Sequence, residues 1–339
     1  MERSKSGWTL LLCLSLAGQS LLGALGAAGA DQVPAAFPHG PIGEPIVPLP
    51  LTLDFDPDRA ALGERLFYDR RLSRDGTLAC VSCHDLAEGG DDGLSLPGRA
   101  DGRSGEVNTP TIFNSALSFR LGWRGTYRRL ADQVDADIED PRLMNTSWDE
   151  VLGKLRADSG YLAGFGRTYD DGITRQNVLD ALSAFHHSLI TPNARFDQYL
   201  RGRDDALTEA EKRGYRLFKS LGCVSCHQGR NIGGNLFQKV GIFADYFASR
   251  GNIREIDFGR FLDTGAQHDL FVFRVPSLRN VAVTAPYFHD GSVAQLDDAV
   301  RKMGEIQLGE SLTDEEVRLI VQFLHSLTGE YKGRPIMSE

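Results

Sequence analysis

Cys80-Val81-Ser82-Cys83-His84 and Cys223-Val224-Ser225-Cys226-His227 are one pentapeptide written twice, 143 residues apart. C-x-x-C-H is the pattern of c-type haem attachment. Its spacing lets two thiols form thioethers with the vinyl groups of one porphyrin while the adjacent histidine reaches the iron from the proximal side. A single copy also fits a redox dithiol, a disulfide or a zinc site. Two copies that use four of the chain's five cysteines, both ending in histidine, point to two haems.

The surroundings of the two copies repeat weakly. Arg65-Leu66-Phe67 precedes the first and Arg216-Leu217-Phe218 the second. This separation is too long for a solenoid period and fits two related domains, each with its own haem. The flanking segments read as helices. Thr208-x-x-Glu211, Ser147-x-x-Glu150 and Thr313-x-x-Glu316 are capping boxes, and Thr174 caps a run with Val178, Leu182, Phe185 and Leu189 at helical spacing. The last helix carries Val317, Ile320, Val321 and Leu324 inward, with Gly329 expected just past its end. Strand alternation is scarce, with short β segments expected near residues 271–275. The fold class expected is all-α.

Outward from this core, Arg3 and Lys5, an apolar run over residues 8–25 and Ala28-Gly29-Ala30 before Asp31 form a secretory leader, cleaved near Ala30. The alternative is a retained membrane anchor. Cleavage removes Cys13, and exported chains suit haem attachment. A proline-rich lead over residues 34–57 reads as extended connecting chain. The composition, 41% apolar and 24% charged over 339 residues, excludes a wholly disordered or fibrous chain. A net charge of −9 gives nucleic acid no electrostatic footprint and permits a basic protein partner. Met303 ends a predicted helix with Leu296 and Val300. It reads as a core methionine, or as the second axial ligand of an iron that only passes electrons.

Longer stretches resemble a known family. Phe273-Arg274-Val275-Pro276-Ser277-Leu278-Arg279-Asn280 and Thr284-Ala285-Pro286-Tyr287-Phe288-His289-Asp290-Gly291-Ser292 are similar to the carboxy-terminal signature of bacterial dihaem cytochrome c peroxidases, a group related to the MauG enzymes. Asn193-Ala194-Arg195-Phe196-Asp197-Gln198-Tyr199-Leu200 and Leu66-Phe67-Tyr68-Asp69-Arg70-Arg71-Leu72-Ser73 match as well, so the resemblance spans about residues 61–329. After the leader over 1–30, it implies a cytochrome c-like domain with the peroxide-reacting haem over 31–203. A second such domain, with the electron-transfer haem, follows over 204–339. Cys80, Cys83, His84, Cys223, Cys226 and His227 then hold the haems, and Met303 falls where the family places the axial methionine of the second. Trp123 matches a tryptophan between the haems and Gln133 a distal-pocket position. Asn108, with the Thr284 and Pro286 carbonyls, matches a calcium site, for which oxygen donors are suited.

Two positions depart from the family's pattern. Ala100 stands where the switchable distal histidine is expected, and no histidine occurs between His84 and His186. Leu143 stands where the distal glutamate is expected, with Glu139, Asp137 and Asp135 as substitute carboxylates nearby. His186 and His187, adjacent on one helix and so facing different ways, read as surface residues. The leading expectation is a periplasmic peroxidase that reduces hydrogen peroxide to water with electrons from a small cytochrome c or cupredoxin, and the resemblance implies a homodimer. The alternatives are a MauG-like enzyme oxidising a protein substrate and a non-enzymatic dihaem carrier.

Overall fold

The computed structural model describes residues 43–98 and 105–336. The predicted leader with its cleavage point, Ala100 and Met337 lie outside them. The chain is largely helical. Helices α1 (Pro57–Phe67), α2 (Leu130–Glu139), α3 (Trp148–Arg156), α4 (Ser159–Thr168), α5 (Arg175–Ser188) and α6 (Arg195–Leu200) come first. They are followed by α7 (Glu209–Ser220), α8 (Tyr246–Arg250), α9 (Phe261–Thr264), α10 (Leu296–Met303) and α11 (Asp314–His325). Two small antiparallel pairs complete the described secondary structure. β1 (Phe237–Lys239) pairs with β2 (Val272–Arg274), and β3 (Glu330–Tyr331) with β4 (Arg334–Pro335). Among the described residues no helix is long and apolar enough to cross a membrane.

The caps read from the sequence form as hydrogen bonds. Ser147, Thr208 and Thr313 each accept from the amide three residues on while Glu150, Glu211 and Glu316 reach back, and Thr174 accepts from the Asn177 amide. Each such cap satisfies amides that a helix start leaves without intrahelical partners. Gly329 differs from its expected role. α11 stops at His325 with Ser326 as its cap, and Gly329 instead marks a close approach, where a Cβ would lie 2.0 Å from the Thr191 carbonyl oxygen.

The weak repeat has a packing counterpart. α1 crosses α5, and α7 crosses α11. At the first crossing Gly63 lies against Ala181, where a Cβ would meet the carbonyl oxygen at 2.0 Å and the Phe185 Cβ at 2.7 Å. At the second, Gly214 lies against Leu319 at 2.0 Å and the Phe323 Cβ at 2.9 Å. Each glycine stands two residues before its Arg-Leu-Phe triplet. Backbone obstructs the added atom in both places, so the helices must separate to admit it. Gly214→Val is expected to destabilise the protein by at least the roughly 1–3 kcal/mol typical of overpacking, read as a lower denaturant midpoint. An unchanged midpoint would show that the crossing opens freely.

Two cores follow from these pairs. Leu66, Phe67, Val151, Phe165, Leu182 and Phe185 fill the first; Phe196, Phe218, Val317, Ile320 and Phe323 fill the second. The chain ends change sides: Ile46 is buried in the second core and Ile336 in the first. The described part of the proline-rich lead is therefore a strap pinned at residues 45–49. Its Leu49 amide donates to Asp197 Oδ1 at 3.1 Å, and Gly229 donates to the Pro45 carbonyl at 2.8 Å. Asp197 (0% exposed) also pairs with Arg279 (1%) at 2.7 Å, and Arg279 donates to the Val47 and Arg230 carbonyls. A second buried link joins Asn114, Thr191 and Asn280 through side-chain hydrogen bonds of 2.8 and 3.1 Å. Both asparagines adopt left-handed backbone conformations (φ 60° and 63°), which this residue tolerates better than most.

Candidate functional site

Each C-x-x-C-H motif forms a single 3₁₀ turn, Cys80–Ser82 and Cys223–Ser225. The histidine amide closes back on the first cysteine's carbonyl, at 3.0 Å for His84 and 2.9 Å for His227. His84 Nδ1 then faces the Gly90 carbonyl at 3.1 Å, and His227 Nδ1 faces the Ile232 carbonyl at 3.3 Å. A carbonyl only accepts, so Nδ1 carries the proton and the Nε2 lone pair is left for a metal. Burial lowers the pKa of both rings, that of His227 to about 4, which keeps them neutral. Burial also pushes the Cys80 thiol up to about 12 and those of Cys83 and Cys223 to about 11. All four cysteines are free, so none of them forms a disulfide.

Both turns open onto one continuous cavity of about 630 Å³. Its wall brings together every residue singled out above as a site: the two motifs' cysteines and histidines, Met303, Trp123, Gln133, Asn108, Thr284 and Pro286. Met303 occupies the end of α10 and packs, with Trp123, against Tyr246, Phe247, Phe273 and Ile306. Trp123 Nε1 donates to the Asn108 carbonyl at 2.8 Å, and the Trp123 carbonyl accepts from the Arg274 amide at 2.9 Å. The Asn108 side chain donates to the Leu94 carbonyl at 2.9 Å, and its Oδ1 accepts no hydrogen bond among the described residues. Neutral imidazoles with Nε2 available, uncrosslinked thiols and a largely apolar wall are a donor set that fits a covalently attached porphyrin at each turn. For calcium, Asn108 Oδ1 and two main-chain carbonyls offer three neutral oxygens, fewer than the six to eight this ion takes.

The substitute carboxylates separate cleanly. Asp135 accepts from Trp148 Nε1 at 2.8 Å and is paired with Arg175, so it is a structural residue. Glu139 is exposed. Asp137 lies on the cavity wall with Leu143, and its pKa is raised to about 7 by burial and then by the nearby Asp140 carboxylate. The surface reading of the paired histidines is half corrected. His186 is buried on the cavity wall, with no hydrogen bond to Nδ1, and burial pushes its pKa down to about 3. Val178, Leu182, Phe185 and His186 all fall in the buried stripe of α5, which explains its placement. His187 is half-buried beside a separate small pocket.

Two features escaped sequence reasoning. Asp91, next to the Gly90 that holds His84, is a buried cavity carboxylate whose pKa rises to about 7 through burial and the neighbouring Asp92. His289 also lines the cavity, and its Nε2 lies 2.6 Å from Asp257 Oδ1. Arg250 bridges Asp257 and Asp290, at 2.6 Å to the latter. The trio Asp257, His289 and Asp290 has metal-ligand spacing, but this arginine already neutralises both carboxylates. The His289-Asp290 pair was visible as a motif; the distant Asp257 and Arg250 that complete the cluster were not.

The chain has relatives among known proteins. The sequence model of the di-haem cytochrome c peroxidase family matches residues 57–205. The chain is 42% identical over 289 residues to the cytochrome c peroxidase Ccp of Escherichia coli, covering 85% of this chain but only 62% of that longer protein. It is 38% identical to the cytochrome c551 peroxidase of Nitrosomonas europaea, with 85% of each chain covered. Among solved structures, a MauG-like protein associated with microbial copper homeostasis superposes with a TM-score of 0.73 at 30% identity, covering 86% of this chain and 95% of that one.

Proposed function

Because the chain belongs to the di-haem cytochrome c peroxidase family, a family of oxidoreductases, we propose that it reduces hydrogen peroxide to water in the periplasm. The electrons come from a small cytochrome c or cupredoxin, whose docking the acidic chain favours if that donor is basic. The observation that carries this reading is the pair of neutral, carbonyl-anchored imidazoles on one cavity that also contains Trp123 and Met303. When bound, the haem irons supply electron storage and the reduction of peroxide. In this reading Cys80, Cys83 and His84 hold the peroxide-reacting haem of the first domain. Cys223, Cys226, His227 and Met303 hold the electron-transfer haem of the second. Trp123 stands on the electron path, Gln133 binds the substrate side, and Asn108 with the Thr284 and Pro286 carbonyls holds a calcium ion completed by water.

The test is made on the full-length exported protein. Intact mass should show two haems that survive acid–acetone extraction, and peroxide should oxidise a reduced small cytochrome catalytically. One haem, or no turnover, would overturn the reading. The presence of Leu143 on the cavity wall favours a second reading, a MauG-like oxidation of a protein side chain. Peroxide consumption that leaves the cytochrome reduced but modifies a protein would select it.

Met303 carries its own prediction. A thioether is a soft neutral donor that raises the potential of the iron it binds. Met303→His is expected to lower the second haem's potential by tens of millivolts or more, about 59 mV being tenfold for one electron. An unchanged potential in a redox titration would place the ligand elsewhere.

A further inference from the structure

The first site has no glutamate at the expected place, yet peroxide reduction needs a group that moves protons at the substrate. Among the described residues only two carboxylates line the cavity, Asp91 and Asp137. Asp91 adjoins Gly90, whose carbonyl anchors His84 Nδ1, so it belongs to the histidine's side of the site. Asp137 stands on α2, one turn beyond Gln133 and therefore on the same helix face. Gln133, Asp137 and Leu143 share the cavity wall. No residue donates a hydrogen bond to the Asp137 carboxylate among the described residues, whereas Asp135 is fully engaged by Trp148 and Arg175. A half-buried carboxylate on a cavity wall, with neither a cation nor a donor among the described residues, is costly to keep ionised unless it has another task.

We propose that Asp137 is the proton-transferring residue of the peroxide site, taking the place of the absent glutamate from a different position on the wall. This rests on the peroxidase reading. Overall, hydrogen peroxide, two protons and two electrons give two waters. The electrons come from the reduced donor protein, and the O–O bond is the one that breaks. Asp137 accepts the proton of one peroxide oxygen and delivers it to the other, which leaves as water, so the carboxylate is regenerated. Its raised pKa, about 7, is where a group can both take and return a proton near neutrality. The groups that face it are Asp140 after α2, Tyr127 before α2, and the Cys80 and Cys83 thiols of the first motif. None of these is a cation; Asp140 is itself paired with Arg142 at 2.8 Å, and among the described residues burial and the Asp140 charge hold the Asp137 pKa up.

The experiment uses the full-length protein with both haems attached and compares wild type with Asp137→Asn and Asp137→Glu. Asp137→Asn is expected to lower kcat/KM for peroxide by about 10²–10⁴, leaving haem content and the second haem's potential unchanged. Asp137→Glu should recover most of the loss. A readout independent of turnover is fluoride binding to the oxidised first haem. In wild type the affinity should rise tenfold per pH unit on lowering the pH toward about 7 and level off below it, because the protonated carboxyl donates to the anion. Asp137→Asn should flatten that profile. Turnover within threefold of wild type, or a wild-type fluoride affinity independent of pH from 5 to 9, would overturn the assignment; the latter applies even where the variant fails to load haem. Absence of peroxide turnover in wild type with a pH-dependent fluoride profile would instead sink the peroxidase reading and leave Asp137 as the cavity's proton donor.

Discussion

A chain in which Cys80, Cys83, Cys223 and Cys226 are all replaced by alanine is expected to carry no covalent haem and to lose its stable fold. The cavity those cysteines border measures about 630 Å³ and is walled by side chains such as Phe113, Leu182, Phe218, Ile320 and Leu324. Truncating one large core side chain already costs about 2–5 kcal/mol, and this cavity is far larger than one side chain. A domain's whole stability is only about 5–15 kcal/mol. Water relieves only part of the cost, because most of the wall is apolar and offers few hydrogen-bond partners. Near-ultraviolet circular dichroism should therefore lose its fine structure, and urea unfolding should lose cooperativity. Variants lacking only one cysteine pair should retain one haem and an intermediate midpoint. A cooperative transition near the wild-type midpoint in the fourfold variant would show that protein packing alone sustains the fold.

Asp197→Ala is the second large effect. Asp197 and Arg279 form an ion pair that is completely buried, 82 residues apart in the chain. Removing the carboxylate leaves the guanidinium enclosed with only carbonyl oxygens for company, and it also removes the acceptor of the Leu49 amide. Breaking one side of such a pair typically costs about 3–5 kcal/mol. Replacing both partners, as in Asp197→Leu with Arg279→Met, should return the part of the loss due to the unpaired charge, while the Leu49 amide and the Val47 and Arg230 carbonyls stay without their partners. The measurement is the denaturant midpoint of the two variants against wild type. A single variant as stable as wild type, or a double variant no better than the single one, would refute this account.

Much of this was legible in the sequence because it is local. Capping boxes, the C-x-x-C-H turns and the end of α10 at Met303 all depend on neighbours within about five residues. The repeated Arg-Leu-Phe triplet was visible too, but not why it recurs: the glycine two residues earlier matters only against a backbone carbonyl more than a hundred residues away. The Asp197–Arg279 pair and the Asp257–Arg250–Asp290 cluster are equally non-local, and charge alone does not tell a solvated face from a buried lock. For His186 the information was present and was misweighed. Adjacent histidines must point apart, and the apolar periodicity of α5 already said which one points inward. The same helical arithmetic links Gln133 to Asp137 and separates it from Asp135 and Glu139.

The crossed chain ends set an order of events for the molecule as it is made. A segment at residues 46–49 that packs on the second core cannot find its place until residues near 197 and 279 have been synthesised. Ile336, 290 residues after Ile46, packs into the first core. Loops of this length are entropically slow to close, so neither half can be finished vectorially, one after the other. Cutting the gene between the halves would yield two pieces, each missing the strand of chain that seals it.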